Sequence, residues 1–246
     1  MASKRHSRDD DIPLARRTHV PTPVGRATRR AWIGRSLAAA GLLAAGLSLV
    51  GLFFSGWRQG GGAPSAQLKP SADGRLLGHF PYPEAKASEL VSVSPGLQLR
   101  ADAAKSFLAM QRAAATDGVG LTLLSGFRSI ELQRQLFFDV KAERNQSSLE
   151  RAKVSAPPGF SEHSTGYAID VGDASMPHTN LSLSFSQTKA YQWLLNHAAR
   201  YQFALSFPKS NPQGVNFEPW HWRFEGSTDA LRLFEPSQRL RADRNA

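Results

Sequence analysis

The sequence predicts an α+β domain set behind an apolar N-terminal segment, and three observations carry that expectation. A charge-free run spans Ser36 to Trp57. Beyond it, apolar residues recur at helical spacing in blocks near the start and end of the remaining chain. Between those blocks lie short apolar runs of strand length, an order that suggests helices flanking a small sheet. The 246 residues suffice for one sizeable domain with appendages, and a hydrophobic content of 41% is ordinary for a chain with a real core.

The first 35 residues hold nine Lys/Arg against three Asp, a balance of +6, while the rest of the chain carries only +4 of the total +10. The basic excess is therefore mainly topological, and with no arginine-rich stripe interleaved with aromatics in the rest of the chain, direct nucleic-acid binding is not expected. The run SLAAAGLLAAGLSLVGLFFSGW, Ser36 to Trp57, has the length of a bilayer-spanning helix; a buried core helix is the alternative. With Lys/Arg before it and Trp57 at its far end, residues 1–35 are expected in the cytoplasm and the remainder outside. TRRAWIG, Thr28 to Gly34, resembles a twin-arginine export signal with substitutions at its later positions, and the small residues of GGGAPSAQ could host cleavage. The apolar run exceeds a usual signal core, which favours an uncleaved anchor.

Residues 58–78, rich in Gly, Pro, Ser and Ala, read as a flexible linker, with the folded domain over 79–246. Within it, Leu99 to Gly118 has helical spacing with Gly at its end. Val119 to Phe127 reads as a buried strand and Ser129 to Glu143 as a second helix. A polar loop with Pro157, Pro158 and Gly159 leads to a strand around Tyr167 to Val171. A helix over Gln187 to Arg200, a short strand at Phe203 to Phe207 and a final strand at Trp220 to Phe224 complete the pattern.

The chain has seven histidines and no cysteine, which excludes disulfides, thiolate metal sites and thiol nucleophiles and leaves His, Asp and Glu as candidate ligands. In SEHSTGYAID, Ser161 to Asp170, His163 lies in a polar loop and Asp170 sits in a strand among Ala168, Ile169 and Val171. A carboxylate there needs a partner. A metal supplies one; a turn or an arginine is the alternative. In FEPWHWRF, Phe217 to Phe224, strand alternation sends Trp220 and Trp222 to one face and His221 with Arg223 to the other. His163, Asp170 and His221 match the two-imidazole, one-carboxylate set of open zinc sites. His6 and His19 precede the apolar run, His79 borders the linker, His178 follows a proline and His197 lies in a helix, all weaker candidates.

Glu218 precedes His221 by three residues, so strict alternation would separate them, but Pro219 favours a bend that turns Glu218 back. A carboxylate beside an activated water can take its proton and return it to a leaving amine; an exposed turn glutamate is the other reading. In SGFRS, Ser125 to Ser129, Arg128 stands between a strand and a helix. It could grip a terminal carboxylate or an oxyanion, or be a surface arginine at a helix start.

SGFRS followed by Gln133, then SEHSTGYAID, then EPWHWRF, in this order and spacing, closely resembles the zinc D-alanyl-D-alanine carboxypeptidases that trim cell-wall peptides, peptidase family M15, relatives of the vancomycin-resistance enzymes. The resemblance covers residues His79 to Glu235. It implies a small α+β domain with a central antiparallel sheet, one zinc per chain held by His163, Asp170 and His221, and Glu218 as general base and acid. It implies further that Arg128 meets the substrate or its oxyanion, that Gln133 and Ser161 line the cleft, and that the substrates are peptidoglycan stem peptides outside the cytoplasm. Phe127 stands where tyrosine is common. An L,D-carboxypeptidase of the same architecture is not separated by these motifs, because pocket shape sets stereochemistry. A non-catalytic wall-binding module is disfavoured by the intact Glu218 and ligand set.

Overall fold

The computed structural model describes residues 69–245; the basic arm, the apolar run and the linker up to residue 68 lie outside the described residues. Among the described residues, no helix is long and apolar enough to cross a membrane. The chain enters through a tight turn, Ser71 N donating to Arg75 O at 2.7 Å, and a bridge between Leu76 and His79. Local structure thus reaches back into the segment read as linker.

A two-stranded antiparallel hairpin comes first, β1 (Leu90–Ser94) and β2 (Leu97–Arg100). The sequence reading passed over it because its strands are short and largely exposed, although the Pro95–Gly96 pair marks its turn. Then α1 (Ala101–Thr116) buries Ala103, Phe107, Met110 and Ala114, a stripe at helical spacing. It packs in one core with Leu121, Leu123, Ile169, Val171, Trp222 and Phe224.

The main sheet has four antiparallel strands, β3 (Leu121–Ser125), β4 (Ala168–Asp173), β5 (Phe203–Leu205) and β6 (His221–Phe224), ordered β3-β4-β6-β5. Helices α2 (Ile130–Glu143) and α4 (Lys189–His197) correspond to the two later helices read from the sequence. Ser129 caps α2 by accepting from Leu132 N at 3.1 Å, and Thr188 caps α4 by accepting from Tyr191 N at 3.2 Å. The short α3 (Ser148–Ala152) and the C-terminal α5 (Thr228–Asn245) were not expected. The α+β class with antiparallel sheets is as expected.

Strand β4 is buried along its whole length and sits between β3 and β6. Its register puts Asp170 opposite Ser125 on one side and His221 on the other. On β3, Leu123 pairs with Val171 and Ser125 with Asp170, so two residues of β3 advance against one of β4. This bulge moves Ser125 off the face that Leu121 and Leu123 give to the core and sets it beside Asp170.

Beyond the bulge, Gly126 lies so close to β2 that a Cβ there would come within 2.4 Å of the Gln98 carbonyl oxygen. Phe127 N donates to that same carbonyl at 2.7 Å, locking the approach. Gly126→Ala is expected to push the β3–α2 connection away from the hairpin and cost about 1–3 kcal/mol, the usual penalty of overpacking; thermal unfolding of the variant, seen as a lower Tm, checks this.

Candidate metal centre

Three elements bring the ligand candidates together. A 3-10 turn, Glu162–Thr165, carries His163 and ends at Gly166, whose φ of 73° lets the chain reverse into β4. Strand β4 then presents Asp170, and β6 presents His221 opposite it. All three side chains are buried, and their ligand atoms lie within 4.8 Å of one another. His163 Nε2 is 3.2 Å from Asp170 Oδ2, and His221 Nδ1 is 3.2 Å from Asp170 Oδ1. Each imidazole nitrogen thus faces one oxygen of the same carboxylate, so the three side chains converge closely enough for one cation to be shared among them.

Each imidazole is oriented by its other nitrogen. His163 Nδ1 donates to the Gly126 carbonyl at 2.7 Å, which leaves the lone pair on Nε2, facing Asp170. His221 Nε2 donates to Glu162 Oε2 at 2.9 Å, which leaves Nδ1 facing Asp170. Asp170 Oδ1 is buried and accepts no hydrogen bond. Burial works against charge on His221, but the Asp170 and Glu162 carboxylates on either side of the ring win and push its pKa up to about 10. Burial likewise works to raise Asp170, yet the two histidines hold it well below the usual carboxylate range. A divalent cation bound at His221 Nδ1 would take the place of the proton there, since a ligating imidazole is neutral.

Behind the histidine, Glu162 forms a buried junction. Its Oε2 accepts from His221 Nε2 and from Ser206 Oγ at 2.5 Å, and its Oε1 accepts from Arg223 Nη1 at 3.0 Å. Burial opposes ionisation of Glu162, but Arg223 and then His221 hold its pKa far below normal. His221 and Arg223 do share one side of β6, as alternation requires, and Glu162 is what they share. Sequence reasoning passed over Glu162. Its signal was an acid adjoining a ligand histidine, but its partners lie 44 to 61 residues away along the chain.

Glu218 and His221 close a turn, with His221 N donating to Glu218 O at 3.2 Å across Pro219 and Trp220. The bend brings Glu218 Oε2 to 3.8 Å from His221 Nδ1, on the ligand side of the ring. Burial pushes the Glu218 pKa up to about 8.

Arg128 approaches from the other side, its Nη2 3.7 Å from Asp170 Oδ2. Its Nη1 donates to Gln133 Oε1 at 2.8 Å and its Nη2 to Ser125 Oγ at 3.1 Å. Its backbone N donates to His163 O at 3.1 Å, so the arginine and the candidate ligand are fixed to one another. Burial lowers the Arg128 pKa, opposed by Asp170 and Glu218.

Arg128, Ser161, His163, Asp170, Glu218 and His221 all line one cavity of about 70 Å³. Gln133 is buried beside it rather than lining it, with its amide nitrogen given to Ser155 Oγ at 3.2 Å and Ala156 O at 2.6 Å. Its contact with the site is through Arg128. His79, which the sequence set beside the linker, forms part of the cavity wall with Nε2 bonded to Ala152 O at 2.7 Å.

Residues 96–227, more than half of the chain, match the family model VanY, D-alanyl-D-alanine carboxypeptidase. The chain belongs to this family. A relative from Bacillus subtilis strain 168, named putative carboxypeptidase YodJ, is 31% identical over 54% of this chain and 48% of its own. The chain spans about half the length of the curated relatives it matches first. Among solved structures, the LdcB LD-carboxypeptidase superposes with a TM-score of 0.55 at 26% identity, covering 68% of this chain and 82% of that one. A mutant of the vancomycin-resistance D,D-pentapeptidase VanY from a VanB-type cassette, in complex with Zn(II), gives 0.51 at 27% identity over 63% and 89%.

Because Glu162 orients the VanY-family site only through His221, Glu162→Gln is expected to weaken divalent-metal affinity by about 10–100-fold, the usual effect of losing a residue that orients a ligand. A chelator-competition titration on the folded variant measures this.

Proposed function

We propose that this chain is a zinc-dependent carboxypeptidase that removes the terminal D-alanine from D-alanyl-D-alanine ends of peptidoglycan stem peptides. We further propose that it works outside the cytoplasm, held by residues 36–57 as a single-pass anchor. The observation that carries the reading is the Pro219 bend, which turns the Glu218 carboxylate to 3.8 Å from the ligand nitrogen of His221, across a shared cavity from Arg128.

His163, Asp170 and His221 would hold the metal, and two imidazoles with one carboxylate leave a position open for substrate and water. When bound there, zinc polarises the scissile carbonyl and makes water a nucleophile near neutral pH. Glu218 accepts the proton that the attacking water releases and delivers it to the nitrogen of the departing D-alanine as the C–N bond breaks. Water is thus divided between the new carboxylate and the free amine. Arg128, held by Gln133 and Ser125, offers its fork to the terminal carboxylate of the substrate or to charge developing on the carbonyl oxygen. Ser161, buried at the cavity wall, helps shape the cleft.

The family's description and the zinc complex of a VanY enzyme support this reading. A second reading, an L,D-carboxypeptidase, is supported by the superposition on LdcB. Release of D-alanine from a pentapeptide stem ending in D-Ala-D-Ala, set against a tetrapeptide stem ending in an L,D bond, separates the two.

A chelator should abolish hydrolysis and added zinc should restore it. Glu218→Gln should keep stoichiometric metal while kcat falls by at least about a hundredfold, since an amide cannot accept the proton; an active variant refutes the assignment. Arg128→Lys should stay impaired despite its charge, because an ammonium lacks the fork. If Arg128 reads the terminal carboxylate, the wild-type preference for the free acid over the C-terminal amide should vanish in this variant. Equal losses on both substrates would assign it to the transition state.

A further inference from the structure

Beside the metal cavity lies a larger one of about 490 Å³, and the two share Val154, Glu218 and Trp220. Its apolar surface comes from Val154, Leu183, Phe217 and Trp220, while its exposed edge carries Glu150, Lys153 and Lys209. These charges differ in what holds them. The Glu150 carboxylate is committed to a capping box at the start of α3, accepting from Ser147 N at 2.8 Å and Ser147 Oγ at 2.7 Å. Lys153 shares the field of that carboxylate. Lys209 has its ammonium 5.5 Å above the Phe217 ring and, among the described residues, no acidic partner.

The walls are fixed to the catalytic side. Lys153 O accepts from Asn216 N at 2.9 Å, and Glu218 N donates to Phe207 O at 3.1 Å. The segments bearing the two lysines are therefore tied together next to Glu218. Arg128 lines only the smaller cavity. A peptide whose last amide lies between Arg128 and Glu218 can therefore run its preceding residues past Glu218 and Trp220 into the larger one.

We propose that this second cavity is a specificity subsite that accepts, in a peptide ending X-D-Ala-D-Ala, a residue X whose side chain terminates in a carboxylate. Lys209 and Lys153 receive the charge, and Phe217 and Trp220 receive the aliphatic stem. The inference rests on the carboxypeptidase reading above, and it adds a preference that the metal site cannot supply.

The test compares kcat/KM of the full chain for three N-acetylated tripeptides, with X as glutamate, norleucine or lysine. The wild type should favour glutamate over norleucine by roughly fivefold, the size of two partly screened ion pairs, and rank lysine last. In Lys153→Met/Lys209→Met the glutamate-to-norleucine ratio should fall toward one, and in Lys153→Glu/Lys209→Glu the lysine peptide should become the best of the three. Both lysines are exposed, so neither replacement disturbs the core. Equal turnover of the three peptides by the wild type, or a preference that survives both double variants, overturns the subsite while leaving the carboxypeptidase reading intact. Hydrolysis of none of them overturns that reading and the subsite with it.

Discussion

His221 lies between two buried carboxylates, and the rest of the site follows from that position. Its Nε2 is held by Glu162 and its Nδ1 faces Asp170, so the ring links an internal ion pair to the candidate ligand set. Two carboxylates this deep would be costly to ionise alone. Arg223 offsets Glu162 at 3.0 Å, and what remains is the demand for positive charge beside Asp170. The architecture therefore creates an affinity for a cation as a by-product of burying charge.

Two arms bracket this centre, and each is set by backbone rather than by side-chain choice. The Pro219 turn overrides strand alternation to bring Glu218 round to the ligand face. The β3 bulge overrides alternation on the opposite side, giving Arg128 a fixed hydroxyl at Ser125. Strict pleating would have left a cluster able to bind metal but with neither flanking group aimed at it. Irregular backbone at the ends of regular strands is thus where this domain concentrates its capacity for chemistry.

Much of this was legible in the sequence for identifiable reasons. The lack of cysteine narrowed the ligands, Asp170 stood out as an acid inside an apolar strand, and Pro219 announced that Glu218 would not obey alternation. Helix α1 and strands β3, β4 and β6 were visible because their burial is periodic or continuous. Glu162 was not, since an acid in a polar segment looks exposed until Ser206, His221 and Arg223 are folded onto it. Gln133 looked like a cleft residue because its motif adjoins Arg128, yet its amide is fully occupied beneath that arginine. The bulge left no mark because it is a matter of pairing register, which one strand alone does not encode.

Strand order also dictates when this domain can exist during synthesis. The strand β6 is the last in sequence but sits inside the sheet, pairing with β4 on one side and β5 on the other. Until it arrives, β5 has no partner in the sheet, and Glu162 lacks both His221 and Arg223 to offset its charge. A nascent chain that has not yet released residues 221–224 into solution can form the hairpin and α1, but it cannot close the sheet or bury Glu162 at acceptable cost. Closure of the sheet is thereby deferred until residues 221–224 are available, and the same four residues that complete the hydrogen-bonded ladder also complete the ion pair of Glu162.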